Sequence, residues 1–383
     1  MSTDNNDVEN WPEIPGYWEV TKSAFLLLKH ELNGNSHGKD FISEIEHCCS
    51  LTTAEVSIVL LGAVLFTIGR FVTSKYIFIP WAKRAKIPKR DESKVPESAY
   101  KSLFYTSIWF IMLYIIFGHH EHIFRDPVSC FTGWQASMAV PIGIRLVYGL
   151  QASFYVHSVF ATLYMDTWRK DSYIMLIHHF LTLSLVGFSY ASRYHNIGLL
   201  VFFLHDITDV FLENSKLLIY FKIRRGKKYP INDQLANVGF AGFSLSWFVC
   251  RLYWFPLKAL WSASKVTDFD DRRMPFVLLL NSMLWVLLVM NIWWFTFILS
   301  MLYKVITGQS TEIDDIREED IVPSEKKLNE MLHVGNGKQN GIHSKSNGKT
   351  IHNNGTTLTH RPTAAGEATE LVTGATPVTA VSE

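Results

Sequence analysis

Two segments of the sequence place ionisable side chains within otherwise apolar stretches. One contains His178 and His179, and the other contains His205, Asp206 and Asp209. An ionisable group at the centre of a bilayer costs about 2.5–3.5 kcal/mol on insertion scales, so such residues are by default candidates for a functional site. The two segments are therefore candidate parts of one intramembrane site.

Helical spacing predicts which side chains accompany the two adjacent histidines. Residues three or four positions apart lie on the same side of a helix, and the pattern repeats along it. His178, Thr182 and Ser189 therefore share one face, and His179 lies beside that face. Thr182 and Ser189 are predicted to support the site or contact its substrate.

The second segment carries a row of acids. Asp206, Asp209 and Glu213 step by three and four residues, so they form one polar stripe on a helix rich in Phe, Leu and Val. His205 and Asp209 are four residues apart and can pair. The spacing leaves open which acid faces which histidine.

Two neighbouring imidazoles opposite several carboxylates suit acyl transfer. A neutral imidazole in a dry site can attack a thioester or deprotonate an amine, while a carboxylate fixes its tautomer and stabilises the imidazolium. We expect no metal, although a hydrolase whose metal is held by these His and Asp side chains stays an open alternative. A purely structural His–Asp link between helices explains a lone histidine better than it explains this cluster.

Two other classes of membrane protein fit poorly. A di-iron desaturase needs several HxxxH and HxxHH boxes, and residue Met175 stands where the second pattern requires a histidine before His178. A seven-helix receptor would match the number of spans predicted below, but it leaves the clustered histidines and acids unexplained.

The composition predicts the elements that position these residues. The chain has 383 residues, of which 48% are hydrophobic and 19% charged, and its apolar residues collect in blocks long enough to cross about 30 Å of hydrocarbon as helices. We predict an all-α, polytopic membrane helix bundle. Its seven spans lie near residues 54–72, 100–117, 139–165, 172–191, 197–221, 235–254 and 275–303.

Three basic residues lie within predicted spans, namely Arg145, Lys216 and Arg251. Each either neutralises an acid or reaches the membrane surface. Arg145 is also a candidate supporting residue of the site.

Charges in the loops predict the orientation. The loops at 73–99, 169–170 and 222–228 are rich in Lys and Arg, which favours the cytosolic side. The N-terminus is then lumenal and the C-terminus cytosolic. His178 lies about six residues, roughly 9 Å, from the cytosolic start of its span, so the site is predicted to lie nearer the cytosol.

The chain divides into three predicted regions. Residues 1–53 form a polar lumenal segment without a cleavable signal peptide, residues 54–304 form the membrane domain, and residues 305–383 form an acidic, then low-complexity tail that we expect to be disordered. The net charge of +1 argues against a nucleic-acid partner. The four cysteines, at 48, 49, 130 and 250, lack the spacing of a zinc site or a disulfide framework.

The polar residues between positions 168 and 216 also follow a recognisable order. They are Trp168, Arg169, Lys170, Asp171, His178, His179, Thr182, Ser189, Arg193, His195, His205, Asp206, Asp209, Glu213 and Lys216. This order resembles the Lag1 motif of the ceramide synthases, which are members of the TLC superfamily. The wider likeness covers roughly residues 55–320.

The resemblance implies an activity and roles for individual residues. It implies an enzyme of the endoplasmic reticulum membrane that transfers the acyl group of a fatty acyl-CoA to the amine of sphinganine or sphingosine, with acyl-CoA as co-substrate and no other cofactor. The family's histidine pair matches His178 and His179, and its acids match Asp206 and Asp209. It also implies an acyl-imidazole intermediate on His178, membrane lipid as surroundings, and homodimers or heterodimers with related synthases.

Departures from the family pattern refine this expectation. Only residues 73–99 join the first two predicted spans, which is too short for the homeobox-like insert of many animal members, so the chain resembles the homeobox-less type and a stearoyl preference is expected. In the family, the last lumenal loop, here about 260–273, influences acyl length.

The alternative prediction is a non-catalytic TLC-type protein that binds or moves lipid. Such a protein need not keep both histidines and both aspartates.

Overall fold

A computed structural model describes residues 13–33, 51–265 and 274–307 of the chain. Within these ranges the chain is mostly helical, which confirms the all-α prediction. The eight long helices there are α1 (Tyr17–Asn33), α2 (Thr53–Ala85), α3 (Val95–His119), α4 (Ile142–Tyr164), α5 (Ser172–Ala191), α6 (His195–Tyr220), α7 (Pro230–Ser264) and α8 (Val277–Ile306). Predictions for Cys48, Cys49, loop residues 266–273 and the tail lie outside the described residues.

Short elements join the long helices. They are the helices Lys89–Glu92 and His122–Arg125, the 3-10 turn Pro127–Phe131, and a two-stranded hairpin of β1 (Ile223–Arg224) and β2 (Lys227–Lys228). The hairpin turns at Arg225 and Gly226, which both adopt positive φ, a conformation that Gly adopts without steric cost.

Six of the long helices in the described ranges are long and apolar enough to cross a membrane, namely α2, α3, α5, α6, α7 and α8. The predicted third span corresponds to α4, whose 23 residues reach about 34 Å at 1.5 Å per residue. Arg145, Gln151 and His157 interrupt the apolar sequence of α4. The polytopic bundle is confirmed, while the count of seven and the orientation of the termini stay predictions.

Helix α7 is longer than the predicted sixth span, which ended near residue 254. Its residues Trp247–Leu260 form a π-helix that contains Pro256. Proline lacks an N–H and clashes with the preceding turn of an α-helix, whereas the wider π turns continue the helix through this position to Ser264. The same π turns carry Arg251.

Helix α1 lies in the N-terminal segment for which the sequence predicts only a polar character. Its Val20 and Leu27 are each 1% exposed, and the helix packs against the end of α7 and against α8. The Tyr17 hydroxyl donates a hydrogen bond to the carbonyl of Leu252, with 2.9 Å between the oxygens. The seven-residue spacing of the two buried side chains is the signal of one helical face.

A tight turn makes α5 and α6 antiparallel neighbours. Arg193 adopts φ 63°, and the Tyr194 amide donates to the Ser189 carbonyl at 2.7 Å. Helix α6 then packs against α3 and α7 as well as α5 and α4, so its acids are enclosed by protein. The turn therefore brings the histidines of α5 and the acids of α6 into one region.

Candidate active site

A cavity of about 310 Å³ runs between α5, α6, α7 and α8. Lys101, Asp166 and Arg169 line it at one end, and Leu280 and Asn281 line it towards the other. The exposed surface of the cavity is mainly apolar, and Leu, Val, Ile, Phe and Trp side chains supply much of it. A mainly apolar cavity with a few convergent polar groups is typical of a ligand site.

The two adjacent histidines both face this cavity. The rings of His178 and His179 are 5.7 Å apart between centroids, and Tyr155 lies 6.5 Å and 5.9 Å from them. The ring of Trp294 stands edge-to-face with His178 at 5.3 Å. Nδ1 of each histidine has no protein hydrogen-bond partner, so both imidazoles keep an unengaged nitrogen in a largely dry site.

The two aspartates have partners other than histidine. Asp209 accepts a hydrogen bond from Arg251 Nη2 at 2.8 Å, and the Arg251 guanidinium lies 4.1 Å from the centre of the Trp247 ring. Asp206 is fully buried and accepts from the Gln151 amide, while its Oδ1 has no partner. The arginine supplies the charge that a buried carboxylate requires.

His205 does not form the predicted pair with Asp209. Its Nδ1 lies 2.8 Å from the Val201 carbonyl, which can only accept, so this nitrogen carries the proton. Its Nε2 then accepts from Asn291 Nδ2 at 3.1 Å. With both ring nitrogens engaged, His205 joins α6 to α8.

The other predicted site residues divide into two groups. Thr182, Ser189 and Glu213 line the cavity, and Ser189 Oγ lies 3.1 Å from the Tyr148 hydroxyl. Arg145 is not brought to the site: it is exposed on α4, and its guanidinium contacts the Val140 carbonyl at 3.5 Å. A guanidinium on the outer face of α4 reaches the backbone near its own N-terminus instead.

Several side chains that contact the site were not predicted as members of it. Gln151, Asn291, Trp294 and Tyr155 come from α4 and α8, outside the two segments that carry the motif. Their residue types are common in helices of any role, so the sequence alone did not separate them. Arg251 was predicted either to neutralise an acid or to reach the surface, and it does the former.

A group of ion pairs lies at the cavity end formed by the start of α3 and the end of α4. Asp166 pairs with Arg70 and, at 2.9 Å, with Lys101, and Lys101 also pairs with Glu97 at 2.8 Å. Burial alone would raise the pKa of Asp166, but Lys101 and Arg70 outweigh it and hold the pKa below its usual value. This end adjoins the Lys- and Arg-rich loops.

The positions of the His, Cys, Asp and Glu side chains test the alternative prediction of a metal-dependent hydrolase. Across residues 13–33, 51–265 and 274–307, no three His, Cys, Asp or Glu side chains come together in a way that could hold a metal ion. Arg251 and Gln151 instead occupy the carboxylates that such a site would use.

Comparison with known proteins covers the region that holds the site. Residues 94–300 match the profile of the TLC domain. The chain is 47% identical to ceramide synthase 1 of Homo sapiens over 270 residues, which is 70% of this chain and 77% of that protein. It is 46% identical to ceramide synthase 1 of Mus musculus (72% and 79%) and 34% identical to ceramide synthase LOH2 of Arabidopsis thaliana (62% and 76%).

Proposed function

The chain belongs to the ceramide synthases of the TLC-domain family, and from this we propose that it transfers a fatty acyl group from acyl-CoA to the amine of sphinganine or sphingosine. It is a multi-pass membrane protein with N-acyltransferase relatives. We place it in the endoplasmic reticulum membrane, where it pairs with a second copy or a related synthase.

The observation that carries the proposal is the unengaged nitrogen of His178 in the apolar cavity. In the first step His178 attacks the thioester carbon: the N–C bond forms, the C–S bond breaks, and the imidazole proton leaves with the CoA sulfur. In the second step the amine attacks the acyl carbon and the bond to His178 breaks. His179 takes up the amine proton as the amide forms and returns a proton to the departing nitrogen of His178, so both imidazoles end neutral.

The position of His178 suits a water-soluble donor. It lies six residues, about 9 Å, from the start of α5, at the end of the bundle that adjoins the predicted cytosolic loops. CoA therefore needs to bring only its thioester into the cavity. The apolar wall that continues towards Leu280 offers space for the acyl chain.

Substitution of the two central residues tests the proposed activity. We expect His178→Ala and Asp209→Ala each to abolish N-acylation of sphinganine in microsomes, because one removes the acyl carrier and the other leaves Arg251 without its counter-charge. Ser184→Ala is the matched control on α5, since this exposed hydroxyl bonds only to its own helix. Assays with labelled sphinganine and with acyl-CoAs of different chain length measure both the activity and the proposed stearoyl preference.

Near-normal activity of either variant, at equal protein level, would remove that residue from the mechanism. Wild-type protein that binds acyl-CoA or sphinganine but makes no ceramide would support the alternative function, a lipid-binding or lipid-moving TLC protein.

The acyl intermediate is tested by mass spectrometry. Enzyme that is incubated with acyl-CoA and no amine should show the added acyl mass on the peptide that contains His178. An unmodified peptide from an active preparation would instead indicate direct attack by the amine.

A further inference from the structure

Glu213 has a buried oxygen atom that the protein does not use. Its side chain lines the cavity and is 5% exposed. Oε1 accepts a hydrogen bond from Lys216 Nζ at 2.9 Å, while Oε2 has no protein partner. A buried acceptor without a partner costs roughly 1–3 kcal/mol, so this arrangement favours a ligand that donates a hydrogen bond.

Glu213 and His178 lie at matching depths on antiparallel helices. His178 is six residues from the start of α5, and Glu213 is seven residues from the end of α6 at Tyr220. At 1.5 Å per residue these positions are about 9 Å and about 10 Å from the same end of the bundle. A ligand donor at Glu213 would therefore lie in the same cavity as the proposed acyl carrier and at about the same depth.

The charge around Glu213 selects the kind of ligand. Lys216 neutralises one oxygen, and the neighbouring Lys101 is already paired with Glu97 and Asp166. The free carboxylate oxygen repels the phosphates of CoA and attracts a cation with N–H groups. A protonated primary amine meets both conditions.

We propose that Glu213 Oε2 binds the protonated amine of the sphingoid base and positions its nitrogen for attack on the acyl group. The ammonium loses one proton to solvent before the attack, so the nitrogen then has the lone pair that forms the amide bond. This inference rests on the proposed function and adds a residue that selects the second substrate. Glu213 then discriminates an amine from an alcohol or a neutral lipid of the same chain length.

Steady-state kinetics of Glu213→Gln test the proposal. The amide keeps the size of the side chain but loses the charge, so KM for sphinganine should rise about tenfold or more, while KM for acyl-CoA and the acylation of His178 without amine stay unchanged. An unchanged KM for sphinganine in an active enzyme overturns the proposal. Lack of ceramide synthesis by the wild-type protein would instead overturn the proposed function.

Lys216→Met separates substrate binding from a structural ion pair. Removing the lysine frees both oxygens of Glu213, so KM for sphinganine should fall or stay constant. If the ion pair only stabilises α6, the two variants should raise KM and lower the melting temperature alike, and that result contradicts the proposal. With a sphinganine analogue lacking the 1-hydroxyl, the effect of Glu213→Gln should persist; its disappearance would assign the contact to the hydroxyl and overturn the amine assignment.

Discussion

His178 and His205 illustrate how neighbours decide the role of one residue type. Both lie on the cavity wall, yet Nδ1 of His178 has no protein partner whereas both nitrogens of His205 are engaged. An imidazole that already donates to a carbonyl and accepts from an amide has no free lone pair for proton transfer. His178 is therefore suited to chemistry and His205 to holding α6 against α8.

This difference predicts the effect of replacing His205. In His205→Leu the amide of Asn291 loses its acceptor inside the protein, which costs about 1–3 kcal/mol. We expect the melting temperature of purified protein to fall by about 3–10 °C, while residual activity keeps the wild-type pH profile. A normal melting temperature with complete loss of activity would instead assign His205 to the reaction.

The sequence predicts which residues share a face of a helix better than it predicts which residues form hydrogen bonds or ion pairs with one another. Spacing on a helix placed His178, Thr182 and Ser189 together and put Asp209 on the same face as Glu213, because these relations depend only on helical geometry. It also suggested a His205–Asp209 pair, which does not form. The partner of Asp209 is Arg251, on another helix, and its position depends on π turns that no local pattern specifies.

At the scale of elements, close helix packing keeps the site in register. Gly198 on α6 faces Tyr148 on α4, and a Cβ there would overlap the Tyr148 hydroxyl. That hydroxyl bonds to Ser189 on the cavity wall. One glycine therefore lets α4, α5 and α6 meet beside the site.

Substitution of this glycine should affect stability and activity together. In Gly198→Ala the Tyr148 ring must move and lose Ser189, so we expect a lower melting temperature and several-fold lower activity. Gly149→Ala is the control, since an added Cβ there meets no other atom within 4 Å. Adding Tyr148→Phe to Gly198→Ala should restore part of both losses; if the double variant is no better than the single one, crowding at the hydroxyl is not the cause.

At the scale of the whole molecule, the number of membrane crossings depends on whether α4 spans the membrane. Six helices of the described chain have the length and apolarity of spans, and the length and flanks of their apolar blocks were enough to predict them. Helix α4 carries Arg145, Gln151 and His157, so its crossing depends on what it packs against rather than on its own hydropathy. Helix α1 was not predicted because its few buried residues, such as Val20 and Leu27, lie among exposed residues that are both charged and apolar.

Two exposed loop positions test this crossing. If α4, α5 and α6 all cross, Gln135 and Lys227 lie on opposite sides of the membrane. In intact microsomes a membrane-impermeant maleimide should label Lys227→Cys above the level of the parent protein. Gln135→Cys should react only after permeabilisation. Equal labelling of both in intact microsomes would mean that α4 does not cross.

The π turns around Arg251 also restrict how the length of this region can change. Each π hydrogen bond spans one residue more than an α-helical one, so deleting one residue between Trp247 and Arg251 could restore ordinary α-helix. That deletion would rotate Arg251 by about 100° about the helix axis and remove it from Asp209. Insertions and deletions here therefore change whether a positive charge lies beside Asp209. A homologue with a different number of residues in this region needs the basic residue that pairs with this aspartate at another position.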